Sequence, residues 1–288
     1  MCAAAPDRTA RVTVVRERSR AHPLAWIHRA EARAIAVELR AAGRDVALVE
    51  LPVDDFARLP PGPLLLRLSD PVMLAATRAL SDASIPFAGP GADAMARCYD
   101  KHEAWRIASA AGVDCPETAL AGKADTMPFP LMLKPRQGSD SIGVRLLRSG
   151  PIPSRACNDG YIAQERILGA ELTIAVLHGR AGMPWRILLP EGTPYSFVRK
   201  YLWRPGRVPL VEGRLAERVR EVARRVADAL AVDWAARIDL IHETRTDRLR
   251  FLECDVAPLV GPDSAFAASL AAAGVARDEQ LRLLLEAG

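Results

Sequence analysis

The sequence predicts a protein of mixed α/β and α+β class, in which a parallel N-terminal sheet is followed by two sheet-rich regions. The chain has 288 residues, about twice the modal domain length, so it can form two or three packed units. Half of its residues are apolar and 26% are charged, which is typical of a soluble globular protein. Hydrophobic periodicity alternates between strand and helix patterns near the N-terminus, which favours a parallel sheet, whereas later strands follow one another closely, which favours antiparallel pairing.

The N-terminal region, residues 1–88, is predicted to be a small α/β domain. Two β-branched runs flank an amphipathic stretch there, and a third apolar run follows a Pro-Pro-Gly turn. Two prolines and a glycine within residues 85–90 predict a boundary, because proline ends regular elements. The predicted strands are residues 11–15, 46–51 and 64–68, and the predicted helices are residues 24–42 and 72–80.

The rest of the chain is predicted to form two further units, residues 89–164 and 165–288. Helical character is predicted over residues 92–111. Apolar residues at helical intervals, with charges elsewhere on the wheel, predict a core-packing helix at residues 215–230. A polar hairpin at residues 243–247 joins the last two strands. The predicted strands are residues 129–133, 144–147, 161–164, 172–177, 237–241 and 249–254, and the closing helices are residues 264–273 and 276–286.

Composition and charge exclude several kinds of partner and site. The net charge is only +4 and arginines are scattered among acidic residues, so we expect no nucleic-acid partner. No apolar run reaches the roughly 18 residues that a membrane span requires, so we expect no membrane partner. The five cysteines and five histidines form no zinc or redox motif, and we expect reduced thiols in a cytoplasmic protein.

Residues 134–144, KPRQGSDSIGV, are the most informative segment of the chain. A predicted strand ends at Lys134, and a loop rich in glycine and serine follows it. Backbone N–H groups, serine hydroxyls and a lysine ammonium group together suit a polyphosphate. The lysine precedes the glycines and no helix follows, so this segment is not a Walker loop. From these residues alone, an ordinary hairpin with a polar turn is an equal alternative.

A second polar group lies on the last two predicted strands. Arg237 and Asp239 share one face of their strand, and Glu253 and Asp255 share one face of the next, because residues two apart point to the same side. Grouping three buried carboxylates without cations would cost on the order of several kcal/mol, which favours a divalent metal. Oxygen ligands without histidine or cysteine select Mg²⁺ or Mn²⁺. A solvated hairpin face is the alternative.

Several motifs follow one another in a definite order along the chain. They are Asp100-Lys101 at a helix start, the Lys134 loop, QERILGAE at residues 164–171, Arg199-Lys200-Tyr201, Arg237-Ile238-Asp239 and Glu253-Cys254-Asp255. This order resembles the ATP-grasp ligases, and it is most similar to the D-alanine–D-alanine ligase branch over roughly residues 86–273. The resemblance implies the ATP-grasp fold, in which an N-terminal α/β domain precedes two sheet-rich subdomains that clasp ATP.

The resemblance also implies which residues bind the nucleotide. They are Lys101 and Lys134 for the α- and β-phosphates, Gly138, Ser139, Ser141 and Gly143 in the loop over them, Gln164, Glu165 and Ile167 for adenine, and Glu171 for the ribose.

The same resemblance assigns the catalytic and metal-binding groups. Lys200 would meet the transferring γ-phosphate, and Arg237 would stabilise the oxyanion that forms when an acyl phosphate is attacked. Asp239, Glu253 and Asp255 would bind two magnesium ions, with Mn²⁺ as a substitute. Asp255 stands where the family usually has asparagine, and either side chain offers an oxygen ligand.

The substrate-binding segments depart from the D-alanine–D-alanine ligases. The stretch after the first predicted strand contains no glycine, and Glu17 is the candidate there for the substrate's ammonium group. Ser264 matches a serine that contacts the second substrate's carboxylate, but Ala257 replaces a serine and Asp263 replaces a histidine. We therefore expect a small amino-acid-like substrate rather than two D-alanines.

Together these features predict a ligase that uses ATP and magnesium to activate a carboxylate as an acyl phosphate and then forms an amide-type bond. One member of the family closes a ring within one molecule, forming D-cycloserine from an O-ureido-serine, and the missing glycine loop suits such a single compact substrate. An intermolecular dipeptide ligase and a non-catalytic ATP-binding regulatory module are the alternatives. Whether the protein is a homodimer stays open.

Overall fold

Three β-sheets, formed one after another along the chain, organise the computed structural model. It describes residues 11–18, 22–51, 59, 62–157, 160–190, 205–211 and 213–287. The first sheet is parallel and the other two are antiparallel, which confirms the predicted mixed class. Among the helices of these ranges, none combines the length and the apolar character that crossing a lipid bilayer requires.

The N-terminal part forms the predicted parallel α/β unit. Its elements are β1 (Val12–Glu17), α1 (Ala25–Ala41), β2 (Val46–Leu51), β3 (Leu64–Arg67) and α2 (Asp70–Asp82). The strand order is β2-β1-β3, and all pairs are parallel. Helix α1 packs on this sheet with buried side chains at helical spacing, which is why its sequence is amphipathic.

A break at Asp100 divides the helical region predicted at residues 92–111 into α3 (Ala92–Tyr99) and α4 (Lys101–Ala110). Asp100 has an extended backbone, and its Oδ1 accepts hydrogen bonds from two N–H groups in the first turn of α4, both at 3.1 Å. Its carboxylate also pairs with Arg136 at 2.7 Å. The helical character predicted for residues 92–111 is confirmed, and so is the helix start at Asp100-Lys101, where the Asp100 side chain caps the second helix.

The second sheet is antiparallel and small. Its strands are β4 (Thr118–Leu120), β5 (Leu131–Pro135), β6 (Arg145–Leu147) and β7 (Tyr161–Glu165), with 3₁₀ turns at Ala121–Lys123 and Ser154–Ala156. The strand order is β4-β7-β5-β6. Strand β4 was not predicted, because three residues are too few for an alternating pattern to be recognised.

The third sheet is antiparallel, has six strands within the described ranges and lies in the C-terminal half of the chain. Its strands are β8 (Ala170–Leu177), β9 (Arg180–Ala181), β10 (Trp185–Ile187), β11 (Arg207–Pro209), β12 (Ala235–Glu243) and β13 (Arg248–Asp255). The helices of this half are α5 (Arg214–Ala229), α6 (Ala265–Ala272) and α7 (Arg277–Leu284). The strand order is β11-β10-β8-β12-β13, with β9 paired to β8.

The first and third sheets share a hydrophobic core, whereas the second sheet has a core of its own. Side chains of the first sheet, such as Leu66, belong to the same buried cluster as Ile174 and Phe251 of the third sheet. The second sheet instead packs on a small cluster of its own, which includes Leu131 and Ala163. The first and third sheets are therefore joined by continuous apolar packing. The division into three domains near residues 88 and 164 stays a prediction.

A buried ion pair connects the N-terminal unit to the loop that follows β13. Arg67, at the end of β3, is fully buried and donates from Nε and Nη2 to Glu31 Oε2 at 2.9 and 2.7 Å. The other oxygen of Glu31 accepts hydrogen bonds from the N–H groups of Val260 and Gly261. Arg67 Nη2 also donates to the carbonyl of Pro258. The charges are thus paired, and both carboxylate oxygens of Glu31 have donors.

Replacing Glu31 with glutamine should destabilise the protein strongly, because Arg67 would remain buried without its counterion. We expect the free energy of unfolding to fall by about 3–5 kcal/mol, as is usual when one partner of a buried ion pair is removed. Asp45→Asn is the control, because it removes an ion pair with Arg11 in which the side chains are 66% and 60% exposed. That change should cost about 1 kcal/mol or less. Urea unfolding measures both, and similar small losses would contradict the importance of Glu31.

Candidate active site

The first cavity lies between the second and third sheets. Apolar side chains from both sheets form much of its lining, among them Met132, Leu146 and Leu252. Every predicted nucleotide-binding residue except Gly143 also lines it. These residues are Lys101, Lys134, Gly138, Ser139, Ser141, Gln164, Glu165, Ile167 and Glu171. Their individual contacts with a nucleotide stay predictions, but the fold brings them to one place from widely separated parts of the chain.

Lys134 is held by a short chain of hydrogen bonds inside the first cavity. It lies near the end of β5, and its Nζ donates to Gln164 Oε1 at 2.6 Å. Gln164 is buried on the neighbouring strand β7, and its Nε2 donates to Thr118 Oγ1 at 3.0 Å. This arrangement orients the amide of Gln164, which in turn fixes the direction of the Lys134 ammonium group.

The glycine-rich loop is tied to the start of α4. Lys101 Nζ donates to the carbonyl of Gly138, and the Lys101 N–H donates to the carbonyl of Arg136 at 2.9 Å. Gly143 has a φ of +77°, and a Cβ atom there would lie 2.9 Å from Pro135 Cγ. Gly143 therefore shapes the loop rather than lining the cavity, because a larger residue would be strained at this position.

Three carboxylates on β12 and β13, which we term the acidic wall, surround one arginine. The wall consists of Asp239, Glu253 and Asp255. Asp239 is the cross-strand partner of Glu253, and Arg237 is the partner of Asp255. Arg237 contacts Asp239 Oδ1 through Nε and Asp255 Oδ2 through Nη1, both at 3.2 Å. The alternation that the sequence predicted thus places these four side chains together.

The charges of the acidic wall change the acidity of its members. Burial raises the pKa of Asp255, and the charges of Glu253 and Asp239 raise it further, against the opposing effect of Arg237. Burial alone would lower the pKa of Arg237, but Asp239, Asp255 and Glu253 raise it well above the ordinary value. Arg237 therefore stays charged, while the carboxylates repel one another.

The donor set of the acidic wall suits an oxygen-preferring divalent cation. Across the described ranges, no three histidine, cysteine or acidic side chains are close enough to hold a metal ion by themselves. Mg²⁺ does not require such a cage, because it is usually bound by one or two carboxylates together with substrate phosphates. Crowded carboxylates beside a cavity with two lysines fit that mode of binding. The number of ions stays a prediction.

A second cavity adjoins the first. Both are lined by Lys101, Ser139 and Glu253, so they meet at the glycine-rich loop and the acidic wall. Arg237 and Asp255 also line the second cavity, and the N-terminal unit contributes residues of α1 and α2. A molecule in the second cavity would therefore lie beside whatever occupies the first.

Two lining residues of the second cavity were not singled out from the sequence. Asp70 begins α2, and burial together with the charge of Asp255 raises its pKa to about 7, although a hydrogen bond with Ser139 opposes this rise. His28 on α1 has its pKa lowered to about 3 by burial and by Arg67, so its ring is neutral at pH 7. The sequence did contain a signal for Asp70: it begins the helix that follows β3, and ligands bind at the carboxyl ends of parallel strands.

Besides Gly143, three predicted site residues are not in the described walls of either cavity. Glu17 is buried at the end of β1, and its Oε2 accepts hydrogen bonds from the Ser69 N–H at 3.1 Å and the Ser69 hydroxyl at 2.7 Å. Ser264 caps α6, where its Oγ accepts from the Ala267 N–H at 3.0 Å. Lys200 lies outside the described residues. The predicted substrate roles of Glu17 and Ser264, and the predicted role of Lys200, remain untested.

Comparison with known sequences identifies the family. Residues 107–286 match the family model described as D-ala D-ala ligase C-terminus. The D-alanine–D-alanine ligase of Acidiphilium cryptum (strain JF-5) is 30% identical over 269 residues, which cover 85% of this chain and 88% of that protein. The D-alanine–D-alanine ligase of Nitrosomonas europaea is 27% identical over 224 residues, covering 72% of this chain and 73% of that protein.

Solved structures share the fold across the chain. The D-alanine–D-alanine ligase from Bacillus anthracis complexed with ATP superposes with a TM-score of 0.77 at 18% identity, covering 97% of this chain and 96% of that one. The VanG D-Ala:D-Ser ligase from Enterococcus faecalis gives a TM-score of 0.77 at 16% identity, covering 96% and 98%. The sequence resemblance and the predicted ATP-grasp fold are both confirmed. The chain belongs to the D-alanine–D-alanine ligase family and is an ATP-grasp enzyme that forms carbon–nitrogen bonds with release of ADP.

Proposed function

We propose that this enzyme joins two small amino acids, using Mg²⁺ and ATP to activate the carboxylate of the first. The observation that carries the proposal is the position of Arg237, which is held between Asp239 and Asp255 and lines the cavity adjoining the predicted nucleotide site. A cation fixed at that junction suits a reaction in which negative charge develops on an acyl group next to ATP.

The comparisons favour an intermolecular reaction over ring closure. The matched relatives are named as D-alanine–D-alanine ligases, which join two molecules. The ring-closing reaction considered from the sequence receives no support from these relatives. A dipeptide ligase is therefore the reaction we propose, with D-alanine as the first substrate to test. The cytoplasmic location and a homodimeric state stay predictions.

The first step forms an acyl phosphate. A carboxylate oxygen of the acyl donor attacks the γ-phosphorus of ATP, the bond to the β-phosphate oxygen breaks, and ADP leaves. Lys101 and Lys134 line the first cavity, where they would hold the phosphate chain. Bound Mg²⁺, held by the acidic wall, would neutralise phosphate charge during this transfer. The remaining contribution of the chain is to position the two reactants.

The second step forms the amide bond. The neutral amine of the acceptor attacks the acyl carbon, and the carbonyl oxygen becomes an oxyanion. Arg237 would donate hydrogen bonds to this oxyanion from the second cavity. The carbon–oxygen bond to phosphate then breaks, and the extra proton on the nitrogen passes to the departing phosphate, which leaves as inorganic phosphate. No residue forms a covalent bond in either step.

Arg237→Ala should reduce turnover by about 100-fold or more, because one oxyanion donor is lost. Binding of ATP should remain nearly unchanged, since the predicted phosphate contacts lie elsewhere. Arg186→Ala is the matched control, because Arg186 is an exposed arginine on strand β10 of the same sheet. Steady-state release of ADP measures turnover and calorimetry measures ATP binding. Wild-type turnover in the Arg237 variant would exclude the assigned role.

The reaction itself is tested by supplying ATP, Mg²⁺ and D-alanine, alone and paired with other small amino acids. We expect one ADP per bond formed and a product with the mass of a dipeptide, detected by mass spectrometry. Chelation of Mg²⁺ should abolish both signals, because without the cation the negatively charged carboxylates would repel the phosphates. A product with the mass of one substrate molecule minus water would indicate ring closure instead. Absence of amino-acid-dependent ADP release would overturn the proposal.

A further inference from the structure

Among the described residues, those that line the second cavity include more carboxylates than cations. Its lining includes Asp70, Asp140, Glu253 and Asp255 against Lys101 and Arg237. Arg237 is already engaged by the acidic wall. In the described part of the chain, no ion pair is formed by Asp70, which lines the cavity together with Ser139. A cationic group in this cavity would therefore find Asp70 available.

The orientation of Asp70 follows from the residue before it. Ser69 is fully buried, and both its N–H and its hydroxyl donate to Glu17 Oε2. Glu17 therefore fixes the start of α2, and its carboxylate does not line the second cavity. The next side chain, Asp70, lines the cavity instead. Glu17, which the sequence predicted to bind the substrate's ammonium group, thus positions Asp70, and it is the Asp70 side chain that lines the cavity.

A neutral histidine also lines the second cavity. His28 is only 9% exposed and lines the same cavity. Among the described residues, its Nδ1 has no hydrogen-bond partner, which is unusual for a buried ring nitrogen. Its neutral ring adds no positive charge that would repel a cation.

The remaining lining suits a small molecule with one apolar part. Leu24, Ile27, Met95 and Leu259 contribute apolar surface. An amino acid has an ammonium group, a carboxylate and a side chain on one carbon, and these match an anionic, a cationic and an apolar region. Arg237 lines the second cavity and pairs with Asp239, which lines the predicted nucleotide cavity, so the reacting carboxylate would have to lie beside this pair.

We infer that Asp70 binds the ammonium group of the acyl-donor amino acid and so selects amino acids over simple carboxylic acids. This inference rests on the proposed ligase function. Asp70 accepts charge-assisted hydrogen bonds from the ammonium group, while the donor's carboxylate is directed toward Arg237 and ATP. Glu17 acts only as a positioning residue, through Ser69.

The test is a competition between two acyl donors in one reaction. D-Alanine and propanoate, which lacks the ammonium group, are supplied with ATP, Mg²⁺ and D-alanine as the common acceptor. Mass spectrometry gives the ratio of D-alanyl-D-alanine to propanoyl-D-alanine. This ratio reports recognition of the donor alone, and it does not depend on how much of a variant is folded.

The wild-type enzyme should make the dipeptide almost exclusively. Asp70→Asn should lower the product ratio by about 10- to 100-fold, because one charge-assisted interaction with the donor is lost. Asp82→Asn, an exposed aspartate at the other end of α2, should leave the ratio unchanged. A wild-type ratio in Asp70→Asn, or a wild-type enzyme that accepts propanoate equally well, would overturn the inference while leaving the ligase function intact. If the wild-type enzyme forms neither product, the ligase function fails and the inference fails with it.

Discussion

The buried pair of Glu31 and Arg67 is the interaction on which the geometry of the site depends. Arg67 is inaccessible to solvent, and transferring it from water is compensated only because Glu31 and the carbonyl of Pro258 accept its hydrogen bonds. Glu31 in turn holds the N–H groups of Val260 and Gly261. Since this loop continues directly from β13, the pair fixes the acidic wall relative to the N-terminal unit. The second cavity exists between the parts that this pair joins.

Opposite charges organise the reaction centre in a second way. Arg237 reduces the repulsion between Asp239 and Asp255, and the carboxylates keep the guanidinium charged and oriented. The centre is thus arranged before any ligand binds, which lowers the reorganisation that catalysis would otherwise require. The first cavity is built differently, because its second-sheet wall has a separate small core. The nucleotide side therefore depends less on the N-terminal unit than the second cavity does.

Much of the fold could be predicted from the spacing of hydrophobic residues, because a long helix or strand with one buried face repeats apolar residues at a regular interval. This was sufficient for α1, α5 and the pair β12 and β13. Short strands such as β4 leave too few residues for a pattern, and the break at Asp100 depends on a cap rather than on periodicity. The nucleotide-binding residues could be proposed from the sequence because each lies in a short motif and the motifs follow a recognisable order along the chain. For Asp70 the sequence offered only a helix start after β3, and for His28 it offered no signal, because each residue comes to line a cavity only through contacts between distant segments.

The account's central claim is that the donor carboxylate becomes an acyl phosphate at the junction of the two cavities. The most direct measurement uses D-alanine with both carboxylate oxygens labelled with ¹⁸O and follows the label into inorganic phosphate. The account predicts one labelled oxygen in each phosphate released, because the carboxylate oxygen that attacks ATP leaves with the phosphate when the amide bond forms. Phosphate without label, released during dipeptide formation, would contradict it.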